Sequence, residues 1–257
     1  APALSPPHLL SSPWQVSEPA RSVGGMDIIL IPGLWLDASS WDDVLPALRA
    51  AGLNPRPLTL PGLGAPASGS ADIGMSDWVQ AVVDEIDAAD GPVMVVGHSG
   101  GGNVAWAAAD ARPDRVARVV LVDTAVPHDG GVISDFDVVD GVIPFPGWDF
   151  FDDDDVADLD ASTRARTAAQ TLSVPGRVPT DPVALHSERR HEVPVTVLSG
   201  AFDDEAFREF LAQWGPYAEE FDAITDTEIV RLGTGHWPQF SQPERLADAI
   251  VTAVRRA

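Results

Sequence analysis

Residues 91–109 read GPVMVVGHSGGGNVAWAAA, and no other stretch limits the fold as tightly. Val93–Val96 is apolar without alternation, the pattern of a strand covered on both faces. It passes without a linker into Gly97-His98-Ser99-Gly100-Gly101, then into an Ala-rich segment, Gly102–Ala111, that stops before Pro113. A strand buried on both sides that turns directly into a helix is the βα unit of a parallel sheet. The helix returns the chain across one sheet face so that the next strand can run the same way.

Five further runs repeat the strand pattern: Asp27–Ile31, Arg56–Leu60, Val116–Val122, Val195–Leu198 and Glu228–Leu232. Helical spacing appears between several of them. Ser39–Ala51 has acids in its first turn and ends at Gly52; Ser76–Ala89 places Trp78, Val79, Val82, Val83 and Ile86 on one face, with Ser76 as N-cap. Gln242–Arg255 places Leu246, Ala249, Ile250 and Val254 on another. The expected class is α/β, a mostly parallel central sheet with helices on both faces. The alternation breaks once. About 65 residues separate Thr124 from Glu192, where a connection of a few residues is usual. This stretch, with a helix near Ser162–Thr171, reads as a cap or lid inserted over about 125–192 of a domain spanning 26–257.

Residues 1–25 are rich in Pro, Ser and Ala and carry no period, so they read as an irregular arm. They lack the basic start and apolar stretch of a secretory signal, and a cytoplasmic location is the expectation. The chain has no cysteine, which excludes disulfides, thiolate catalysis and cysteine-held metals. All 16 basic residues are arginine, and the net charge of −23 disfavours nucleic acid and anionic membranes as partners. No apolar run reaches the roughly 18 residues of a membrane span. Oligomeric state is left open, a homo-oligomer included.

The Gly97–Gly101 turn carries the chemistry. G-x-S-x-G between a strand and a helix is a nucleophile elbow, in which a sharp turn lifts one side chain above the sheet. The turn forces the serine into a strained conformation and needs small neighbours, which Gly97 and Gly101 supply. The following helix points its N-terminus at developing negative charge. Ser99 is therefore the candidate nucleophile.

From Met26 onward the chain resembles the α/β-hydrolase superfamily, on the segments ILIPGLW, GHSGG, VTVLSGAFDD and GTGHWPQFSQPE, in that order. Its start at a single strand is similar to the compact members related to plant methylesterases and hydroxynitrile lyases. The resemblance implies that His236, in the loop after the last strand, is the base for Ser99. The superfamily's chain order is Ser, then Asp or Glu, then His. Asp203, after the strand Val195–Leu198, holds the usual place of the acid, with Asp204 beside it; Asp123, in LVDTAVP, is the alternative. The oxyanion donors are expected from the backbone of Gly100 and of Leu34, with Trp35 next to it. His98 is expected to point away from the nucleophile.

Trp35, Phe145, Trp148, Phe150, Phe151 and Trp237 are candidates to line an apolar pocket under the cap. The acidic run Asp152–Asp155, with Asp135, Asp137 and Asp140, lacks calcium-loop spacing and reads as a solvated face. No metal and no cofactor is called for. The expected reaction is hydrolysis of a small neutral ester or lactone through an acyl-enzyme. C–C bond cleavage and cofactor-free perhydrolysis on the same residues remain open, as does a non-catalytic receptor. The absence of lysine weighs against the hydroxynitrile lyase route.

Overall fold

The computed structural model describes residues 25–257, so all of the expected arm over residues 1–25 except Gly25 lies outside the described residues. The strands are β1 (Asp27–Ile31), β2 (Asn54–Pro57), β3 (Val93–His98), β4 (Val116–Val122), β5 (Val142–Ile143), β6 (Val174–Pro175), β7 (Val195–Ser199) and β8 (Thr227–Arg231). The helices are α1 (Leu45–Ala50), α2 (Ala67–Ser70), α3 (Met75–Ala88), α4 (Gly100–Ala111), α5 (Asp153–Val156), α6 (Ala161–Ala168), α7 (Asp204–Leu211), α8 (Gly215–Ala223), α9 (Pro238–Ser241) and α10 (Pro243–Val254).

Six strands form one sheet in the order β2-β1-β3-β4-β7-β8, every neighbouring pair parallel. The side-chain period of two divides each strand between two cores. Ile29, Ile31, Val93, Val95, Val119, Leu121, Val195 and Val197 face the layer that contains α3, α4, α7 and α8. Ile28, Leu30, Met94, Val96, Val120, Val122 and Leu198 face the layer of α1 and α10. Both faces are thus dry, which is why these strands read as unbroken Val, Ile and Leu.

Local chemistry explains the differences from expectation. The strand expected at Arg56–Leu60 lies at Asn54–Pro57, with Pro55 and Pro57 tolerated because β2 is the sheet edge. The helix expected over Ser39–Ala51 is broken. Asp37 caps a 3-10 turn at Ala38–Trp41, and α1 starts afresh with Pro46 in its first turn. The cap of α3 is Gly74 and not Ser76, with the Gly74 N–H donating to Asp77 Oδ2 at 2.8 Å. Helices α7 and α8 have no counterpart among the sequence expectations.

The segment between β4 and β7 carries the β5–β6 ribbon, α5 and α6. It is stitched to loops at the carboxyl ends of the sheet strands. The Leu172 N–H donates to Trp35 O (2.9 Å), the Gly64 N–H to Ser173 O (2.8 Å), and the His236 N–H to Asp155 O (2.9 Å). Among the described residues no helix is long and apolar enough to cross a membrane.

A buried ion cluster ties α4 and α8 to the turn at Glu188–Glu192. Glu220 accepts from Arg190 Nε (2.6 Å) and Nη2 (3.0 Å) and from Trp106 Nε1 (3.0 Å), and lies 3.2 Å from His191 Nε2. Burial pushes the Glu220 carboxyl up, but the hydrogen bonds from Arg190 and Trp106 and the Arg190 and His191 charges outweigh it and hold it below its ordinary value. A carboxyl lowered on folding stabilises above its unfolded pKa, and that contribution is lost as pH falls through the folded one. Removing one partner of a buried pair leaves the other uncompensated. Glu220→Gln is therefore expected to lose about 3–5 kcal/mol at neutral pH. Urea denaturation should show the gap from wild type closing below pH about 4.

Candidate active site

Ser99 sits at the end of β3, between the strand and α4, with φ 50° and ψ −125°. Glycine neighbours make that conformation reachable. A Cβ on Gly97 would meet Gly101 O at 2.5 Å, and one on Gly101 would meet Pro32 O at 2.4 Å. Besides Ser99, the non-glycine residues with positive φ among the described residues are Trp35, Asp123 and Asp140. Trp35, Ser99 and Asp123 follow β1, β3 and β4, adjacent strands of the sheet, so the strained backbone gathers at one place.

His236 bridges the gap between two strand ends. Its Nε2 lies 2.9 Å from Ser99 Oγ and its Nδ1 lies 2.6 Å from Asp123 Oδ2. An ionised carboxylate only accepts, so Nδ1 carries the proton and Nε2 is free to accept from the serine hydroxyl. Burial pushes the Asp123 carboxyl up, but the hydrogen bond and charge of His236 and the Gly200 N–H, 2.7 Å from Asp123 Oδ1, hold it below its ordinary value. The arrangement can take the Ser99 proton and stabilise the imidazolium that results.

The expected acid, Asp203, is not there. It is the N-cap of α7, its Oδ1 accepting from the Ala206 N–H at 3.0 Å, and it is exposed. Asp204 instead pairs with Arg208 one turn on. The reason is local. After β7 the chain turns away into α7 at once, and what it offers the site is the Gly200 N–H. A Cβ on Gly200 would meet Thr234 O at 2.7 Å and Asp123 Oδ1 at 3.1 Å. The alternative position, Asp123, is the one the structure joins to His236.

Gly100 is the first residue of α4, and the Leu34 side chain lies against it; a Cβ on Gly100 would come within 3.1 Å of Leu34 Cγ. The two residues expected to donate to an oxyanion are thus neighbours beside Ser99. Gly33 is small because the His98 ring occupies the space, 2.7 Å from where its Cβ would stand.

His98 does point away from the nucleophile, yet it holds the histidine loop. Its Nε2–H donates to the His236 carbonyl (2.8 Å), which leaves Nδ1 to accept from the Gln239 amide (3.2 Å). Burial, helped by the nearby His236, holds the His98 pKa down to about 3, so the ring stays neutral. The segment after β4 contributes too: Asp155 O, at the end of the acidic run, accepts the His236 N–H, and Asp158 Oδ2 accepts the Gly235 N–H at 2.8 Å. A Cβ on Gly235 would strike Asp155 O at 2.3 Å. Asp155 was expected only as part of a solvated face. Asp152, Asp153 and Asp154 are exposed, but the last residue of the run is built into the site.

The expected pocket aromatics form one packed cluster. Trp237 meets Trp148 (4.9 Å, 88°) and Phe151 (4.7 Å, 75°) edge-on, and Trp35 meets Phe145 (5.8 Å) and Phe151 (6.0 Å). All but the exposed Phe150 are buried or half-buried, and the cluster fastens the segment after β4 to the histidine loop. The cavity at Ser99, about 170 Å³, is walled instead by Asn103, Thr124, Ala125, Val132, Ile133 and Tyr217. Trp35 and Phe150 line a second cavity of about 330 Å³. No motif in the sequence marks Tyr217 or the Val132-Ile133 pair; only the fold brings them to Ser99.

The sequence profile of the Alpha/beta hydrolase family matches residues 28–249, and the chain belongs to that family. Probable esterase PIR7A of Oryza sativa subsp. indica is 26% identical over 89% of this chain and 96% of its own length. The Pyrethroid hydrolase of Sphingobium wenxiniae is 28% identical over 87% and 86% of the two chains. Lipase LipV of Mycobacterium tuberculosis is 52% identical, but over 59 residues, 22% of its length. Among solved structures, tomato Methylketone Synthase I superposes with TM-score 0.71 at 16% identity, over 90% of this chain and 98% of its own. An extracellular α/β-hydrolase from a Paenibacillus species gives 0.69 at 22% identity, over 89% and 98%. At these identities the superpositions establish the fold.

Substitution separates the two acids. Asp123→Asn is expected to slow fluorophosphonate modification of Ser99 by about 10⁴-fold, as loss of the correct histidine tautomer does elsewhere. Asp203→Asn, which keeps a good N-cap residue, should stay within about twofold of wild type. Mass spectrometry of the labelled serine over time reads both.

Proposed function

We propose that the chain is a carboxylic ester hydrolase that acylates Ser99, with His236 as general base and Asp123 as its acid. The observation that carries this is the hydrogen-bonded line Ser99 Oγ–His236 Nε2, His236 Nδ1–Asp123 Oδ2 at the wall of a cavity. Membership of the hydrolase family and the esterase names of several relatives support it.

In this reading Ser99 attacks the carbonyl carbon of an ester or lactone as its proton passes to His236. The Gly100 and Leu34 amides hold the oxyanion, helped by the N-terminus of α4. Collapse of the tetrahedral intermediate breaks the C–O bond, and His236 returns the proton to the departing alcohol. Water, deprotonated by the same imidazole, then attacks the acyl-enzyme and releases the acid. A net charge of −23 and the acidic run beside the histidine loop favour a neutral substrate and repel the carboxylate product.

Hydrolysis of p-nitrophenyl acetate and butyrate by wild type and Ser99→Ala tests the reading. Turnover by wild type should fall by about 10⁴-fold or more in the variant, with a fluorophosphonate label found on Ser99. Turnover that survives Ser99→Ala, or a label on another residue, would remove Ser99 as nucleophile. No turnover with intact ligand binding would leave a receptor that kept the fold.

A further inference from the structure

Three aromatic rings stand on the surface where the core has no use for them. Phe202, Phe210 and Trp214 are 36%, 40% and 54% exposed. They occupy the loop after β7, the outer side of α7 and the turn into α8. The buried side of α7 is already filled by Phe207 and Leu211. The exposed rings also touch in sequence. Phe202 stacks on Phe210 (5.2 Å, 20°), Phe210 tilts against Trp214 (6.0 Å), and Trp214 meets Tyr217 edge-on (6.4 Å, 86°). Single exposed apolar residues are ordinary, whereas a contiguous run marks a surface that binds something.

One end of this run reaches the cavity, and the other begins two residues after the backbone donor to Asp123: Tyr217 lines the cavity at Ser99, and Phe202 follows Gly200, whose N–H holds Asp123. We infer that the rings form an outer substrate subsite, a ledge that receives the distal apolar part of an ester whose carbonyl sits at Ser99. This inference rests on the hydrolase reading above.

The cavity volume supports it. About 170 Å³ is small beside the roughly 300–1,000 Å³ of pockets that enclose a whole ligand. An ester has two halves, and a cavity of this size holds one small half. The other half must leave it, and Tyr217 provides an apolar exit that continues onto Trp214 and Phe210. The second cavity, beside Trp35 and Phe136, shares no lining residue with the one at Ser99. The exposed acids Asp204, Glu205 and Glu209 flank the rings, which selects a neutral tail. Rigid rings provide that contact area at little entropic cost and accept flat or extended hydrocarbon by offset stacking. The ledge thus predicts a preference for esters with a long acyl chain or a bulky aryl alcohol over p-nitrophenyl acetate. A long acyl chain and a bulky alcohol share this chemistry, and a substrate series tells them apart.

The test compares wild type, Trp214→Ala and Phe210→Ala on p-nitrophenyl octanoate for the acyl arm and 1-naphthyl acetate for the alcohol arm, each against p-nitrophenyl acetate. The ratio of kcat/KM for the large ester to that for the small one should fall about tenfold in at least one arm. A ratio unchanged in both arms overturns the proposal. So does a ratio that falls with Phe136→Ala instead, which would seat the tail in the second cavity. Sedimentation that shifts from dimer to monomer in Trp214→Ala, with the ratio unchanged, would assign the rings to self-association. Equilibrium binding of p-nitrophenyl octanoate to Ser99→Ala, with and without Trp214→Ala, needs no turnover and should show a Kd about tenfold weaker in the double variant. If wild type lacks Ser99-dependent hydrolysis, the hydrolase reading fails while this binding comparison still decides the ledge.

Discussion

The placement of one imidazole depends on a loop that has no strand neighbour of its own at the site. His236 follows β8, at the sheet edge, yet its ring must reach the ends of β3 and β4 in the centre. Ordering each loop residue costs roughly 1–2 kcal/mol of backbone entropy, and each net hydrogen bond returns about 1 kcal/mol. The loop is therefore held by close packing as well as by bonds. His98 fixes the His236 carbonyl from beneath, Asp155 takes its N–H from the segment after β4, and Thr234 donates to Gly200 O. Gly33, Gly200 and Gly235 are the points where another part of the fold comes too close for any side chain. The segment after β4 is consequently part of the histidine's support, besides lining the cavity with Val132 and Ile133.

The same packing accounts for the position of the acid. A carboxylate after β7 would have to reach His236 past Gly200, where the backbone already touches both Thr234 O and Asp123 Oδ1. A carboxylate at the end of β4 needs only a left-handed residue there, and aspartate tolerates that conformation better than most. Asp123 has φ 49°. The end of β7 then supplies a backbone donor in place of a side chain, and the loop after it is free to carry Phe202.

What the sequence revealed follows from how local each requirement is. The sheet was legible because strands dry on both faces have no polar alternation, and five of the six central strands fall within two residues of their expected bounds. The elbow at Ser99 was legible because its strain is relieved by glycines two residues away on either side. The acid was not, since Asp123 and Asp203 both follow strands and both precede His236; only the three-dimensional approach of β7 to the histidine loop separates them. The aromatic residues after β4 were expected to line a pocket, but composition does not tell a ring that lines a cavity from one that packs on five others. Tyr217 carries no local signal at all, because α8 reads as a broken acidic stretch around Gly215-Pro216.

Electrostatics sets a further constraint on any reaction here. A chain of net charge −23 surrounds its own site with negative potential, which opposes an oxyanion there, whereas local dipoles stabilise one. The two effects differ in range. Exposed carboxylates act across solvent and fade beyond a Debye length of about 8 Å at physiological salt. Backbone amides and the N-terminus of α4 act at contact, inside a partly closed cavity where screening is weak. Local dipoles can therefore govern the oxyanion while the acidic surface governs what approaches. Under the proposed reaction that division also assists the last step, because the product alone carries a new negative charge and the surface that admits a neutral ester drives the carboxylate away.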